Sequence, residues 1–255
     1  MSILHLGQMT WNEVQTFVSE KVVALLPLGS LVAHGPHLPL NTDVVIATEM
    51  AKRASRKLST HGSQVLICPP VAYSPALQGK DFAGTMNVAP GAYSNYLRSL
   101  MADLAGMGLR TVCLVSCHVD PSHLQAVAQC RVALAGALGP EAMKVVFPDL
   151  TQEPWVHLMP AEFRNGSGHA GHFETSCMLA IHAEHVREDV RKKLPKVTAS
   201  LTAGVLEGKS GFAECGGPKA YFGDPAGATS SHGEDFLEAL ATIIVDSLEE
   251  PKPPA

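Results

Sequence analysis

Short apolar runs alternate along the chain with longer segments in which apolar residues recur at helical spacing. Four runs rich in β-branched residues are typical of buried strands and fall at residues 22–28, 64–68, 111–116 and 144–147. Five segments with a helical period are predicted as helices, at residues 43–58, 92–107, 122–138, 171–185 and 234–248. This alternation predicts an α/β fold with a mostly parallel sheet and helices on both faces, because parallel strands need crossover connections.

Local signals refine this pattern. Thr10 and Glu13 have the spacing of a capping box that opens a first helix, and Thr42 is the expected N-cap of the helix at 43–58. The glycine-rich segment 202–223 follows neither period, so we expect irregular strands and a loop there. Since no internal repeat or low-complexity linker interrupts the chain, we expect one domain over residues 1–249 and a frayed tail at 250–255.

Composition narrows the class of protein. A chain of 255 residues can bury a sizeable core, and a formal charge of −5 without a basic cluster argues against a nucleic-acid partner. No apolar run is long enough to span a membrane, and no secretory signal is visible. The six cysteines form no CxxC pair and several lie in apolar runs, so we expect reduced, buried thiols. These features indicate a soluble cytoplasmic protein.

Polar side chains cluster at three places where a predicted strand ends or a predicted helix begins. The first cluster, in LGSLVAHGPHLPLNTD at residues 28–43, contains His34, His37 and Asp43. The second, SCHVD at 116–120, contains His118 and Asp120, and the third, GHAGHFETS at 168–176, contains His169, His172 and Glu174. Because parallel strands end at one edge of a sheet, we expect these clusters to meet there.

The three clusters together offer imidazole nitrogens and carboxylate oxygens, a donor set that suits zinc, manganese or iron(II). A metal ion held by them would polarise a carbonyl and lower the pKa of a bound water to about 7. Simpler interpretations exist for single residues. His37, His123 and His172 are expected to be ordinary hydrogen-bonding groups, and Asp43 or Glu174 alone could be a first-turn helix charge.

A thiol mechanism is disfavoured. Cys117 and His118 are adjacent, and adjacent residues on an extended chain point to opposite sides. From residue types alone, a metal site and a set of unrelated polar groups are about equally favoured.

The order of the motifs resembles that of the creatininase (creatinine amidohydrolase) family. The family stretch G-S-x-E-x-H-G-P-H-L-P-x-x-x-D matches residues 29–43 except at one ligand position, and H-A-G-x-x-E-T-S is reproduced at 169–176. Weaker matches to N-G-H, G-D-P-x-x-A and F-P-G-T fall at residues 116–118, 223–228 and 82–85. The sequence is therefore identified as a divergent member of this family.

The resemblance implies a three-layer α/β/α sandwich with a mostly parallel central sheet, assembled as a homohexamer. It also implies one or two divalent ions per chain, zinc or manganese with iron possible, bridged by Asp43. His169 and Glu174 would be catalytic, through substrate binding and proton transfer. The metal ligands implied are His34, Asp43, His118, Asp120 and Glu174.

Several positions depart from the family pattern. Val32 stands where the family has a glutamate ligand, and an isopropyl group binds no metal. Ala76 and Gly79 stand where creatininase has a serine that contacts substrate and a histidine. Gly168 replaces an acidic residue, and Asn165 a tryptophan that covers the substrate. Creatinine is therefore not the expected substrate.

The leading hypothesis is a metal-dependent amidohydrolase that uses a metal-activated water to cleave a non-peptide or cyclic amide C–N bond of a small molecule. His34, Asp43 and Asp120 would hold one metal firmly, since one-metal hydrolases need only three protein ligands and an open position. Two alternatives stay open. One is a catalytically degenerate member with a structural or regulatory role, and the other is a peptidase or deformylase in cofactor biosynthesis.

Overall fold

The computed structural model describes residues 3–138 and 143–249, so the predicted tail at 250–255 lies outside the described residues. Within them, one sheet has the strand order β1-β3-β2-β4-β5, and every neighbouring pair is parallel. The strands are β1 (Leu4–His5), β2 (Val22–Pro27), β3 (Gln64–Ile67), β4 (Thr111–Val115) and β5 (Lys144–Val146). The predicted parallel sheet is confirmed. The sequence did not predict β1, because two residues are too few to display a period.

The helices between and after the strands begin and end close to the predicted residues. The long helices are α2 (Thr42–Thr60), α3 (Pro90–Gly106), α4 (Pro121–Leu138), α6 (His172–His182) and α9 (Ser230–Leu248). Shorter helices are α1 (Trp11–Phe17), α5 (Ala161–Arg164), α7 (Glu188–Arg191) and α8 (Leu201–Leu206). The helix predicted to reach residue 185 ends at His182 and continues as the 3-10 turn Ala183–His185.

Side chains alternate across the central strand and build one core on each face of the sheet. Leu25 of β2 packs in a core with residues of α2, α6 and α9, among them Met50, Phe173 and Ile244. Its neighbours Ala24 and Leu26 belong to the opposite core, where α3 and α4 contribute. The result is the expected three-layer α/β/α arrangement, with helices covering both faces of a buried parallel sheet.

Two local predictions were wrong and one is confirmed. Thr42 is the first residue of α2 and not its N-cap, since Asn41 holds the cap position and the Thr42 hydroxyl donates to the Pro39 carbonyl at 2.7 Å. The segment 202–223 begins inside α8 and continues as turns, with a single isolated bridge between Val197 and Gly223 in place of the expected strands. The capping box of Thr10 and Glu13 is present as predicted.

All six cysteines are buried and free, as expected. Among the described residues, no helix combines the length and the apolar character that crossing a membrane requires.

Candidate metal centre

The three predicted clusters meet at the carboxyl edge of the sheet. The central strands β2 and β4 are neighbours, and the Leu28 amide donates to the Val115 carbonyl at 2.7 Å just before the first two clusters begin. After β2 the chain turns back tightly onto α2, since a Cβ at Gly29 would lie 2.6 Å from the Val44 nitrogen. Only glycine fits at that approach, which carries the first cluster over the start of α2.

Asp43, in the first turn of α2, lies at the centre of the candidate site and is 1% exposed. Its Oδ1 is 3.1 Å from His34 Nε2, and its Oδ2 is 2.9 Å from His118 Nδ1. Glu174 Oε2 lies 3.5 Å from the same His34 nitrogen and accepts from the Ala170 amide at 2.6 Å. Two imidazoles and two carboxylates, all buried, therefore contact one another in a row that runs from His118 through Asp43 and His34 to Glu174.

The hydrogen bonds behind the imidazoles indicate what the site requires. His34 Nδ1 lies 2.9 Å from the Val32 carbonyl oxygen, and His118 Nε2 lies 2.8 Å from that of Pro75. A carbonyl oxygen only accepts, so these two nitrogens carry protons. In the neutral rings, the opposite nitrogens would point lone pairs at the carboxylate of Asp43. Such an arrangement is stable only with a cation in between, and backbone-anchored imidazoles of this kind are typical of metal ligands.

Protons can supply that positive charge in the absence of metal. Burial opposes a charge on His34, but the carboxylate of Asp43 outweighs it and raises the His34 pKa to about 9. His118 has the same balance, with burial overcome by Asp43, and its pKa is also raised to about 9. Burial opposes the charge on Asp43 as well, yet the two imidazoles lower its pKa. The donor set therefore fits a divalent ion, which would take the place of the two protons.

A pH dependence of stability follows for the metal-free protein. Both histidine pKa values lie above the unfolded value near 6.5, so their contribution is complete below about pH 6.5 and is lost as pH rises through about 9. We therefore expect the melting temperature of chelator-treated protein to fall between pH 7 and pH 9. Zinc-loaded protein should fall less over that range, because its imidazoles are already neutral. Parallel thermal melts of the two forms check this, and equal slopes would contradict it.

Asp120 has other partners. Its Oδ2 accepts from the Gln78 amide at 3.0 Å, and its Oδ1 accepts from the Ser122 amide at 2.9 Å in the first turn of α4. Gln78 in turn binds the next segment, because its Oε1 accepts from the Gly211 amide at 3.0 Å and its carbonyl from Phe212 at 2.9 Å. Asp120 thus lies beside His118 but joins two loops, and its role as a metal ligand stays a prediction.

His169 lies closer to the possible ligands than the sequence suggested. His34, His169 and Glu174 offer ligand atoms that all lie within 4.8 Å of one another. His169 Nε2 is 2.9 Å from the Ala33 carbonyl oxygen, which assigns that nitrogen the proton and leaves Nδ1 as an acceptor. Burial, together with the neighbouring charge of His34, lowers the His169 pKa to about 3. The ring is therefore neutral and can accept a hydrogen bond.

His37, His123 and His172 have the hydrogen-bond partners expected of them, and Cys117 lacks the character of a nucleophile. His37 Nε2 lies 2.9 Å from Thr175 Oγ1, which ties the first loop to α6, and His123 Nε2 lies 3.3 Å from Ser116 Oγ. His172 Nε2 pairs with His232 Nδ1 at 3.0 Å near the surface. Burial raises the pKa of the Cys117 thiol well above its usual range, which argues against a thiolate nucleophile.

Three of the departures from the family pattern meet in an apolar corner, formed by Val32, Ala76, Gly79 and Phe212. Val32, Ala76 and Phe212 belong to one small buried hydrophobic cluster. A Cβ at Gly79 would lie 2.5 Å from Val32 Cγ2 and 3.1 Å from Phe212 Cε2. Any side chain at position 79 would therefore collide, so the residues of this corner depend on one another. Phe212 lies in no motif that could have predicted its place here, and it also stacks on His169 at a ring-centroid distance of 4.2 Å.

This packing predicts an effect of Gly79→Ala. The added methyl group overpacks the apolar corner, so we expect a loss of about 1–3 kcal/mol in the free energy of unfolding. Gly136→Ala is a matched control, because nothing lies within 4 Å of a Cβ at that exposed position of α4. The control should be neutral or slightly stabilising. Urea denaturation of both variants checks this, and equal stabilities would mean that the corner is loosely packed.

A pocket of about 390 Å³ opens from the candidate site to the surface. Its inner part is lined by the buried residues Val32, His118, Asp120 and Glu174 and by the half-buried His169. Its walls are largely apolar and include Leu124, Val156, Phe163, Leu201, Val205 and Phe212. A pocket of this size admits a small organic molecule or the end of a short peptide.

Comparison with known proteins identifies the family. A family model described as creatinine amidohydrolase matches residues 7–248. The chain belongs to the creatininase family. Two curated relatives of this creatininase family member have different names, one a peptidase and the other an amidohydrolase. It is 27% identical to a mycofactocin precursor peptide peptidase from Mycolicibacterium smegmatis, over 97% of this chain and 92% of the relative. It is 28% identical to a creatinine amidohydrolase from Pseudomonas putida, over 72% of this chain and 74% of the relative.

Solved creatininase structures share the fold over almost the whole chain. A mutant creatininase complexed with creatine has a TM-score of 0.77 at 25% identity, covering 99% of this chain and 100% of that one. A manganese creatininase has a TM-score of 0.76 at 24% identity, with the same coverage. A mutant creatininase of the Zn-Zn type has a TM-score of 0.75 at 23% identity, and covers 100% of both chains. The expected creatininase-like architecture is therefore confirmed.

Proposed function

We propose that this protein is a metal-dependent amidohydrolase that cleaves an amide C–N bond of a small molecule other than creatinine. The observation that carries this proposal is the orientation of the two imidazoles. His34 and His118 are anchored through backbone carbonyls and direct their other nitrogens at the carboxylate of Asp43. This buried arrangement requires positive charge, which a divalent ion can supply in place of protons, and it opens into a pocket, which suits hydrolysis better than a purely structural role.

The ion would be zinc or manganese, with iron as a third candidate, as the donor set and the related manganese and Zn-Zn creatininases suggest. We assign His34, Asp43 and His118 as its ligands. Glu174 lies next to His34, and Asp120 is a further candidate ligand. When bound, the ion would supply Lewis acidity and lower the pKa of a water molecule, so that hydroxide is available at neutral pH to attack an amide.

Glu174 and His169 are the proposed catalytic side chains. In the metal-free protein, burial raises the pKa of Glu174 to about 7, so this carboxyl group binds a proton more readily than an exposed carboxylate does. We propose that it passes a proton to the leaving nitrogen. His169 stays neutral and keeps Nδ1 as an acceptor, which would orient an amide N–H of the substrate.

Glu174→Gln tests this assignment. Glutamine keeps the size of the side chain and an oxygen for the Ala170 amide, but it cannot carry the proton. We expect a fall in kcat of about 10²- to 10⁴-fold with the fold retained. Steady-state kinetics and circular dichroism check the two parts, and a kcat within twofold of the parent would remove Glu174 from the mechanism.

Metal content provides a direct test of the centre. Because Val32 offers no ligand, we expect protein purified without a chelating tag to retain nearer one divalent ion per chain than two after dialysis. Elemental analysis measures this. Two retained ions would mean that another side chain, with Glu174 the nearest candidate, replaces the missing carboxylate. No ion, even after reconstitution, would favour the alternative of a degenerate family member with a structural or regulatory role.

Peptide hydrolysis is a second candidate function, favoured by the named peptidase relative that aligns with 97% of this chain. Amine release from cyclic amides, formamides and short peptides, each measured with and without added zinc or manganese, separates the possibilities. Creatinine should remain near background. Metal-dependent release from peptides alone would favour the peptidase, and release from none of them the non-enzymatic role.

We also propose a homohexamer, on the basis of family membership. Light scattering coupled to size-exclusion chromatography measures the assembly directly, and a monomeric mass would exclude it.

A further inference from the structure

We propose that the pocket recognises its substrate through a bulky apolar group, such as a phenyl ring, attached near the amide. This inference rests on the proposed function and names its substrate class. It follows from what the walls of the pocket offer and from what its polar side chains are already doing.

Helix α8 supplies much of one wall. Leu201 and Val205 are four residues apart, so they lie on the same face of the helix, and both line the pocket. Leu206 also lines it, although it is 83% exposed. A leucine this exposed at the edge of a pocket loses contact with water when an apolar ligand covers it, which favours binding.

The apolar corner makes one side of the inner pocket apolar, opposite the polar side chains of the candidate metal centre. Val32 and Phe212 line the pocket and present carbon atoms only, and Ala76 and Gly79, which pack against them, offer no side-chain donor or acceptor. A polar heterocycle placed there would lose its hydrogen bonds to water without gaining others, at a cost in affinity. An apolar group would lose nothing.

Most polar side chains that line the pocket are already engaged. Both oxygens of Asp120 and the Oε1 of Gln78 accept backbone hydrogen bonds. The hydroxyl of Thr151 donates to Asp149 Oδ1 at 2.7 Å. Arg164 and Gln152 lie at the exposed rim, where Arg164 can meet the polar end of a ligand, while the Gln152 side-chain amide donates to Thr151 Oγ1 at 3.1 Å and keeps its Oε1 for a ligand. The pocket thus combines a polar rim, an apolar wall and the candidate metal centre.

Two hydroxamates separate the apolar contribution from metal binding. Acetohydroxamate and 3-phenylpropanohydroxamate carry the same metal-binding group and differ mainly in the phenyl arm. Isothermal titration of zinc-loaded protein should show the phenyl compound binding at least about tenfold more tightly, as burial of an aromatic ring predicts. Equal affinities, or no binding of the phenyl compound, would overturn the proposal.

Variants on α8 locate the effect. Val205→Ser and Leu206→Ser should each reduce the preference for the phenyl compound at least about threefold and leave acetohydroxamate binding unchanged. Leu206 is so exposed that its substitution does not threaten folding. Val132→Ser, on the exposed surface of α4 away from the pocket lining, should keep the full preference. A preference that both α8 variants retain would also overturn the proposal.

The outcome is separable from that of the proposed function. Hydrolysis of 3-phenylpropanamide and acetamide is measured on the same zinc-loaded protein. Selective binding of the phenyl hydroxamate without hydrolysis of either amide supports this inference and counts against the amidohydrolase. Hydrolysis of both amides at equal rates supports the amidohydrolase and overturns this inference.

Discussion

Asp43→Ala should abolish metal retention and amide hydrolysis together, while the secondary structure persists. Asp43 faces His34 with one carboxylate oxygen and His118 with the other, so its loss removes a charge that holds both imidazoles in place. Because even the outer partners of metal ligands are worth about 10- to 100-fold in affinity, we expect a loss of at least about 100-fold here. Elemental analysis after dialysis and far-UV circular dichroism measure the two outcomes.

His37→Ala is the matched control for this experiment, since it lies in the same loop. Its Nε2 contacts Thr175 and not the candidate metal centre. Removing it leaves the buried Thr175 hydroxyl with only its long 3.5 Å hydrogen bond to the Ala170 carbonyl. We therefore expect a loss of about 1–3 kcal/mol in stability with metal still bound. Equal loss of metal in both variants would show that the roles assigned within this loop are wrong.

Val32→Glu should make the stability of the protein depend on metal. The new carboxylate would enter the apolar corner, and a buried charge without a partner costs several kcal/mol. A second cation, held by the new carboxylate and by Asp43 as a shared ligand, would offset that cost. We therefore expect a lower melting temperature without metal, a clear rise on adding manganese or zinc, and a gain of up to one bound ion per chain.

Val32→Gln separates charge from size in this test. Glutamine has nearly the same shape as glutamate but no charge, so its melting temperature should respond to metal no more than that of the parent. A glutamate variant that stays unfolded with either metal would mean that Val32 serves core packing. In that case the restored two-metal centre would be excluded, and a single-metal centre would gain support.

The parts of the fold that were predictable from sequence are those with a local cause. The strands at 22–28 and 111–116 follow from continuous apolar runs, and the helix at 43–58 follows from the helical spacing of its apolar residues. Helix α8 escaped prediction because six residues containing Gly204 display no clear period, and Gly204 is there to pack against Cys215. Thr42 failed as a cap because its hydroxyl donates to the nearby Pro39 carbonyl.

The candidate site divides in the same way. The residues around Asp43 could be predicted, because motif spacing and the meeting of strand ends bring them together. The apolar corner could not, since it joins residues from three distant segments and Phe212 belongs to no recognisable motif. Sequence revealed which polar groups Val32, Ala76 and Gly79 lack. Only tertiary contacts reveal that these residues pack against one another.

The hydrogen bonds of Gln78 predict the order in which parts of the protein fold and open locally. They join it to Asp120 and Gly211, at sequence separations of 42 and 133 residues. Contacts this distant require large loops to close, so we expect the pocket floor to condense late, after the local β2–α2–β3 unit. It should also open first in the native state. In a hydrogen-exchange experiment the Gln78 and Phe212 amides should exchange before those of β2, and bound ligand should slow them most.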